Sequence, residues 1–250
     1  MSGFLPHPVH RRVAIAWTVA LVLGAAAFTL ARHAYATLPR PKPLQELSYY
    51  PSGEHLRPMT LGHSESVADL AWMRAIQYYG EHRRTDLKFV YLAHVFDVLT
   101  SLSPRFIQAY VFGAFALAQE GYSFEKAEAL MLKGFERNPG SGVLAFEMGF
   151  LYYVRPGGRE LRKAAEYFEA AARLPDGPPQ ASRFAAYARQ HSGDLRIAYE
   201  MWQVVAQTSA NRYLKDMAQR EMDKIREALA SGRPDVAVRR LGTPQVIIRR

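Results

Sequence analysis

The chain has 250 residues, no cysteine, 49% apolar and 22% charged residues, the balance of a globular protein rather than a disordered one. The missing thiols exclude disulfides, thiolate metal sites and a cysteine nucleophile. The net charge of +9 sits in the ends: residues 1–59 hold six Arg/Lys against two Asp/Glu, 60–230 hold 21 against 20, and 231–250 hold five against one, so the near-neutral body argues against nucleic acid as a partner.

Residues 13–31, VAIAWTVALVLGAAAFTLA, run without a charge between Arg11-Arg12 and Arg32-His33. Nineteen residues at about 1.5 Å each cover roughly the hydrocarbon thickness of a bilayer. Two readings fit. One is an uncleaved transmembrane anchor. The other is a secretory signal cleaved after Ala36, because Ala34-Tyr35-Ala36 has the small-x-small pattern. The run is longer than the usual signal core, and Arg32 and His33 fall where a neutral cleavage region is expected, so the anchor is favoured. Residues 1–12 are then expected in the cytoplasm. The body is expected on the periplasmic side of an inner (cytoplasmic) membrane, although the basic residues flanking the span are nearly balanced. Ala16, Ala20 and Gly24 recur every four residues, a small-residue stripe suited to close approach of a partner helix.

Residues 32–59 include Pro39, Pro41, Pro43, Pro51 and Pro58, which points to an extended, semi-rigid linker. From 60 to 230 the apolar spacing is helical. It predicts helices at 66–80, 86–102, 105–120, 124–138, 142–154, 159–173, 180–191, 194–208 and 211–230. Ser66 with Asp69 has the spacing of a capping box, and Ser123 and Asp194 stand where N-caps belong. Residues 211–230 carry Lys215, Arg220, Lys224 and Glu227 on a polar face, as a helix closing the end of a stack needs. Residues 231–250 are read as a basic tail able to meet lipid, with disorder expected in isolation.

The helices fall in pairs. Ala93, Ala127, Ala164 and Ala198 lie at intervals of 34, 37 and 34. Phe96, Met131, Phe168 and Trp202 follow them by three or four residues, and Thr100, Gly134, Ala171 and Val205 by seven. Pro104, Pro139 and Pro175 close three of the units. This pattern resembles the tetratricopeptide repeat (TPR) over about residues 65–210, with the best match at Phe146, Gly149, Phe150, Tyr153, Ala164, Phe168, Ala171 and Pro175. It departs from the repeat in a long first turn, GEHRRTD, in extra residues around Pro156-Gly157-Gly158, and in the fourth unit's missing proline.

The resemblance implies an all-α fold: a TPR-like α-solenoid of about four helical hairpins plus a capping helix, behind one N-terminal transmembrane helix. It also implies a partner-binding groove on the first helix of each pair. Carried over, the groove residues are Met73, Gln77, Phe112, Gln119, Glu147, Leu151, Arg155, Arg183, Tyr187 and Gln190. The role implied is a bacterial, membrane-anchored, non-catalytic scaffold that binds protein partners and assembles an envelope complex, whether transport, pilus or secretion, or energy-converting machinery. The alternative is a periplasmic chaperone released by cleavage.

Chemistry finds little footing. Gly62-His63-Ser64-Glu65-Ser66 lacks the second glycine of a nucleophile elbow and follows no strand. The eight histidines do not show helical metal-ligand spacing with a carboxylate. A metal set is conceivable only through convergence of His63, His82 and His94 with Glu81 or Asp86. The glycine-rich turns at 138–142 and 155–159 lack phosphate-loop spacing. No cofactor, metal or small-molecule substrate is expected.

Overall fold

The structure is a computed structural model that describes residues 8–37 and 51–238. Residues 38–50 of the proline-rich linker, including Tyr49 and Tyr50, and the tail from 239, including Val246-Ile247-Ile248, lie outside the described residues. The chain divides into two compact units, Met1–Glu46 and Leu47–Arg250. Among the described residues there are eleven α-helices and no strand.

In the first unit, α1 runs from Pro8 to Thr37. Proline suits a first helical position because its missing N–H is not needed there. The stretch Ile15–Ala34, 20 residues, is long and apolar enough to cross a membrane, and none of it is buried. A signal sequence near the N-terminus can meet the same criterion of length and apolarity. The helix continues to Thr37, six residues past the expected end at 31, because no breaker intervenes before Pro39.

The second unit holds α2 (Gly53–Met59), α3 (Ser64–Arg84), α4 (Leu92–Leu102), α5 (Ile107–Gln119), α6 (Phe124–Arg137), α7 (Gly142–Tyr153), α8 (Leu161–Arg173), α9 (Ala181–His191), α10 (Leu195–Thr208) and α11 (Arg212–Ser231). From α3 onward each helix packs on the next in sequence, and α4 also meets α6 and α5 meets α7. Ser141 caps α7 through Leu144 N–H, and Asn211 caps α11 through Tyr213 N–H.

Several expectations need correction. Gly53–Met59 is helical rather than linker and packs on α4; a Cβ at Gly53 would collide with Ser101 and the Val98 backbone. Ser66 lies inside α3, whose N-cap is His63, so it does not open the helix. Ser123 and Asp194 hold the N-cap positions of α6 and α10 without a side-chain cap bond. The expected helix at 86–102 begins only at Leu92, and α3 reaches Arg84. Tyr78 explains the intervening loop: its hydroxyl donates to Lys88 O and accepts from Tyr91 N–H, both at 3.1 Å. Asp86 also accepts Lys88 N–H at 3.1 Å. These side chains satisfy backbone groups that a helix would otherwise pair internally.

Close approach sets the packing of successive helices. A Cβ at Gly113 would lie 2.6 Å from the Phe96 ring, and one at Gly149 would lie 2.7 Å from the Phe168 ring. Those glycines are 36 residues apart, and fully buried Ala185 follows 36 further on. Ala218, Met222, Ile225 and Ala228 form the buried stripe of α11 against Trp202 and Val205, while Lys215, Arg220, Lys224 and Glu227 stay exposed. Gly232, at φ 65°, ends the helix. The chain then folds back as a 3-10 turn, Pro234–Val236, and buries Ala237, so residues 231–238, expected as tail, belong to the packed body.

Candidate functional site

Aromatic residues three apart recur on three helices: Phe112 and Phe115 on α5, Phe150 and Tyr153 on α7, Phe184 and Tyr187 on α9. All six are half-buried. Phe115 meets Phe150 at 5.8 Å between ring centroids, Phe150 meets Phe184 at 6.1 Å, and Tyr153 meets Phe184 at 6.1 Å and Tyr187 at 6.3 Å. Phe112 belongs to a cluster with Trp72, Tyr79 and Phe96. The tilted and edge-on geometries place ring edges against ring faces, worth about 0.5–1.5 kcal/mol per pair beyond burial.

At the α9 end of this ladder a cavity of about 270 Å³ opens between Tyr153, Phe184, Tyr187, Trp202, Met217 and Glu221, with Arg183 on its wall. Its base is a hydrogen-bond chain. Trp202 Nε1–H donates to Gln190 Oε1 at 2.6 Å, and Gln190 Nε2–H donates to Glu221 Oε2 at 2.8 Å and to Ala237 O at 3.0 Å. Burial pushes the Glu221 carboxyl up, but the Lys224 and Gln190 hydrogen bonds outweigh it and hold it below the ordinary range. Burial, with Tyr187 alongside, raises the Tyr153 phenol. Arg183 also borders a second cavity of about 650 Å³, lined by Gln180, Ser182, Thr208, Asn211 and Tyr213 among others.

Two guanidiniums flank the Tyr153–Phe184 pair. The Arg159 guanidinium carbon is 5.4 Å from the Tyr153 ring centroid and that of Arg183 is 5.4 Å from the Phe184 centroid. Arg159 Nε and Nη1 are buried without a hydrogen-bond acceptor among the described residues.

The residues singled out from the sequence separate into three groups. Arg183 and Tyr187 line the cavity. Met73, Gln77 and Gln119 are exposed, and Phe112 lies in the Trp72 cluster. Glu147 is half-buried on α7, and burial raises its carboxyl. Leu151 and Gln190, by contrast, are fully buried and so belong to the core rather than to a groove. Arg155 stands past the end of α7, paired with Glu160 and 4.3 Å from the Phe124 ring centroid. On α1, Ala16, Ala20 and Gly24 are exposed along one face, and a Cβ on Gly24 would meet nothing within 4 Å. Of the three histidines considered for a metal, buried His82 pairs with Asp86, and no group of three or more His, Asp or Glu among the described residues is arranged to hold a metal.

Phe115, Phe150, Tyr153 and Phe184 form the aromatic ladder, Tyr153 and Phe184 also line the cavity, and the carried-over groove positions omit all four. The recurring aromatic at i and i+3 on alternate helices is the sequence signal that marks them. Compared with protein-family models, with curated proteins and with solved structures, the chain matches none.

Proposed function

We propose that this chain is a membrane-anchored, non-catalytic scaffold whose helical body is a TPR-like array of about four hairpins and a capping helix. α1 is its single span in the inner membrane, and the body works on the periplasmic side. The cleft on α5, α7 and α9 holds a segment of a protein partner, and the Ala16/Ala20/Gly24 face of α1 docks on a partner's transmembrane helix. The host is an envelope membrane complex, and the role is assembly or stabilisation of that complex.

The observation that carries this reading is the half-buried aromatic ladder running from Phe115 through Phe150 to Phe184 and Tyr187, ending at a cavity. Rings that retain exposed surface and pass from helix to helix are typical anchors for protein contact. Serial packing of helix on helix and the 36-residue recurrence of Gly113, Gly149 and Ala185 support the repeat. The long apolar α1 supports the anchor.

The test is a tagged pull-down from native membranes in mild detergent with crosslinking and mass spectrometry. A stoichiometric membrane partner crosslinked to α1 and to the cleft is expected. The Ala34-Tyr35-Ala36 triplet motivates the chaperone alternative, and the mature N-terminus separates the two: Met1 or Ser2 for the anchor, Thr37 for a released chaperone.

A further inference from the structure

The partner segment's chemistry follows from the unbalanced charge at the cavity, and this inference rests on the scaffold reading above. Glu221 is the cavity's carboxylate, and Lys224 and Gln190 already occupy its oxygens. Arg183 is different. It forms part of the wall of both cavities, lies against Phe184, and has no ion pair or hydrogen bond among the described residues. Arg159 lies against Tyr153 with two buried guanidinium nitrogens that lack an acceptor among the described residues. Buried N–H donors without acceptors are costly, and a planar guanidinium is matched best by a carboxylate. The ring pair between the two arginines offers an apolar slot of about 270 Å³, too small for a folded element and large enough for one side chain. Beyond Arg183 the wall of the second cavity is mixed: Gln180, Ser182, Thr208 and Asn211 can meet a continuing backbone, and Val205, Ala210 and Leu214 stand among them.

We propose that the cavity takes an extended protein segment carrying an aromatic or large aliphatic side chain with an Asp or Glu beside it. The apolar side chain enters among Tyr153, Phe184 and Trp202. The carboxylate accepts hydrogen bonds from Arg183, with Arg159 adding positive potential at the other ring. The segment continues over the second cavity.

The test uses the full chain in detergent micelles and the capped peptide acetyl-Gly-(4-fluoro-Phe)-Asp-Gly-amide, followed by fluorine NMR line broadening. Counterparts carry Asn or Lys in place of Asp, and a second set reverses the Phe-Asp order. The Asp peptide in one of the two orders is expected to bind about tenfold or more tightly than its Asn counterpart, and the Lys peptide most weakly. R183Q is expected to erase the Asp-over-Asn preference, and R183K, which keeps the charge without the planar fork, to retain part of it. Equal binding of Asp and Asn peptides, absence of broadening for every peptide at millimolar concentration, or a preference that survives R183Q would overturn the proposal. If the pull-down yields a cleft-crosslinked partner while the peptides fail to discriminate, this inference falls and the scaffold reading stands. If the peptides discriminate while native membranes return no partner, the scaffold reading falls and the acidic-segment chemistry stands.

Discussion

Trp202 and Gln190 are joined by a 2.6 Å hydrogen bond from the indole Nε1–H to the amide oxygen, in the core beneath the aromatic cavity. Gln190 is twelve residues before Trp202 on the preceding helix, and its own amide N–H groups reach Glu221 on α11 and Ala237 beyond it. One buried side chain thus ties α9, α10, α11 and the returning chain together. Gln190→Leu removes all three bonds and leaves a buried indole N–H unpaired. It is expected to destabilise the body by roughly 2–3 kcal/mol. Thermal unfolding followed by circular dichroism checks this, with a midpoint several degrees below wild type.

Gly113 and Gly149 admit ring carbons where a methyl group would sit. Gly113→Ala and Gly149→Ala are each expected to cost about 1–3 kcal/mol by overpacking. Gly80 on α3 has nothing within 4 Å of its would-be Cβ, so Gly80→Ala is expected to stabilise by roughly 0.5–1 kcal/mol through helix propensity. Opposite signs in parallel melts check the close packing of α5 on α4 and of α7 on α8.

Three carboxylates give a pH signature with two signs. Asp86 is held low by its hydrogen bond to His82 and by Lys88 N–H, and Asp176 by Gly142 N–H, which it accepts at 2.7 Å. A lowered folded pKa means a contribution fully present above the ordinary carboxylate value near 4, which disappears as pH falls below it. D86N and D176N are therefore expected to be less stable than wild type at pH 7, with the difference shrinking towards pH 3. Glu147 runs the other way. Burial raises its carboxyl, so the folded state holds the proton more tightly and stability falls as pH rises from the ordinary value through the raised one. E147Q is expected to be more stable than wild type at pH 7 and equal to it near pH 3. Melts across that range check both signs.

Leu151 is fully buried, so it serves packing. Leu151→Ala is expected to cost about 2–4 kcal/mol. Tyr187→Ala, at a half-buried cleft position, is expected to cost less in stability and to weaken partner capture. Comparing melting midpoints with yields in the pull-down separates core from cleft.

The helices from 107 to 231 were legible in the sequence to within about two residues, because prolines and glycines separate clear apolar stripes there. Residues 86–91 were not, since their loop is set by Tyr78, a side chain eight or more positions away. Gly53–Met59 escaped for a similar reason: its packing on α4 is a tertiary contact among prolines that locally favour an extended chain. The cleft was half legible. α7, GVLAFEMGFLYY, is apolar around almost its whole circumference, so spacing alone cannot separate buried Leu151 from half-buried Phe150. Gln190 is carried over as a groove position by the repeat resemblance. It is buried because Ala237 returns over it from 47 residues away, a contact no local pattern carries.

The most direct test of partner capture is site-specific photocrosslinking in native membranes. A photoreactive benzoyl-phenylalanine replaces Phe150 or Tyr187 in the cleft, and exposed Glu166 on α8 serves as the control. One discrete crosslinked membrane protein is expected from positions 150 and 187 and none from 166. Equal labelling from all three positions, or no crosslink from the cleft in membranes that retain the full chain, would contradict it.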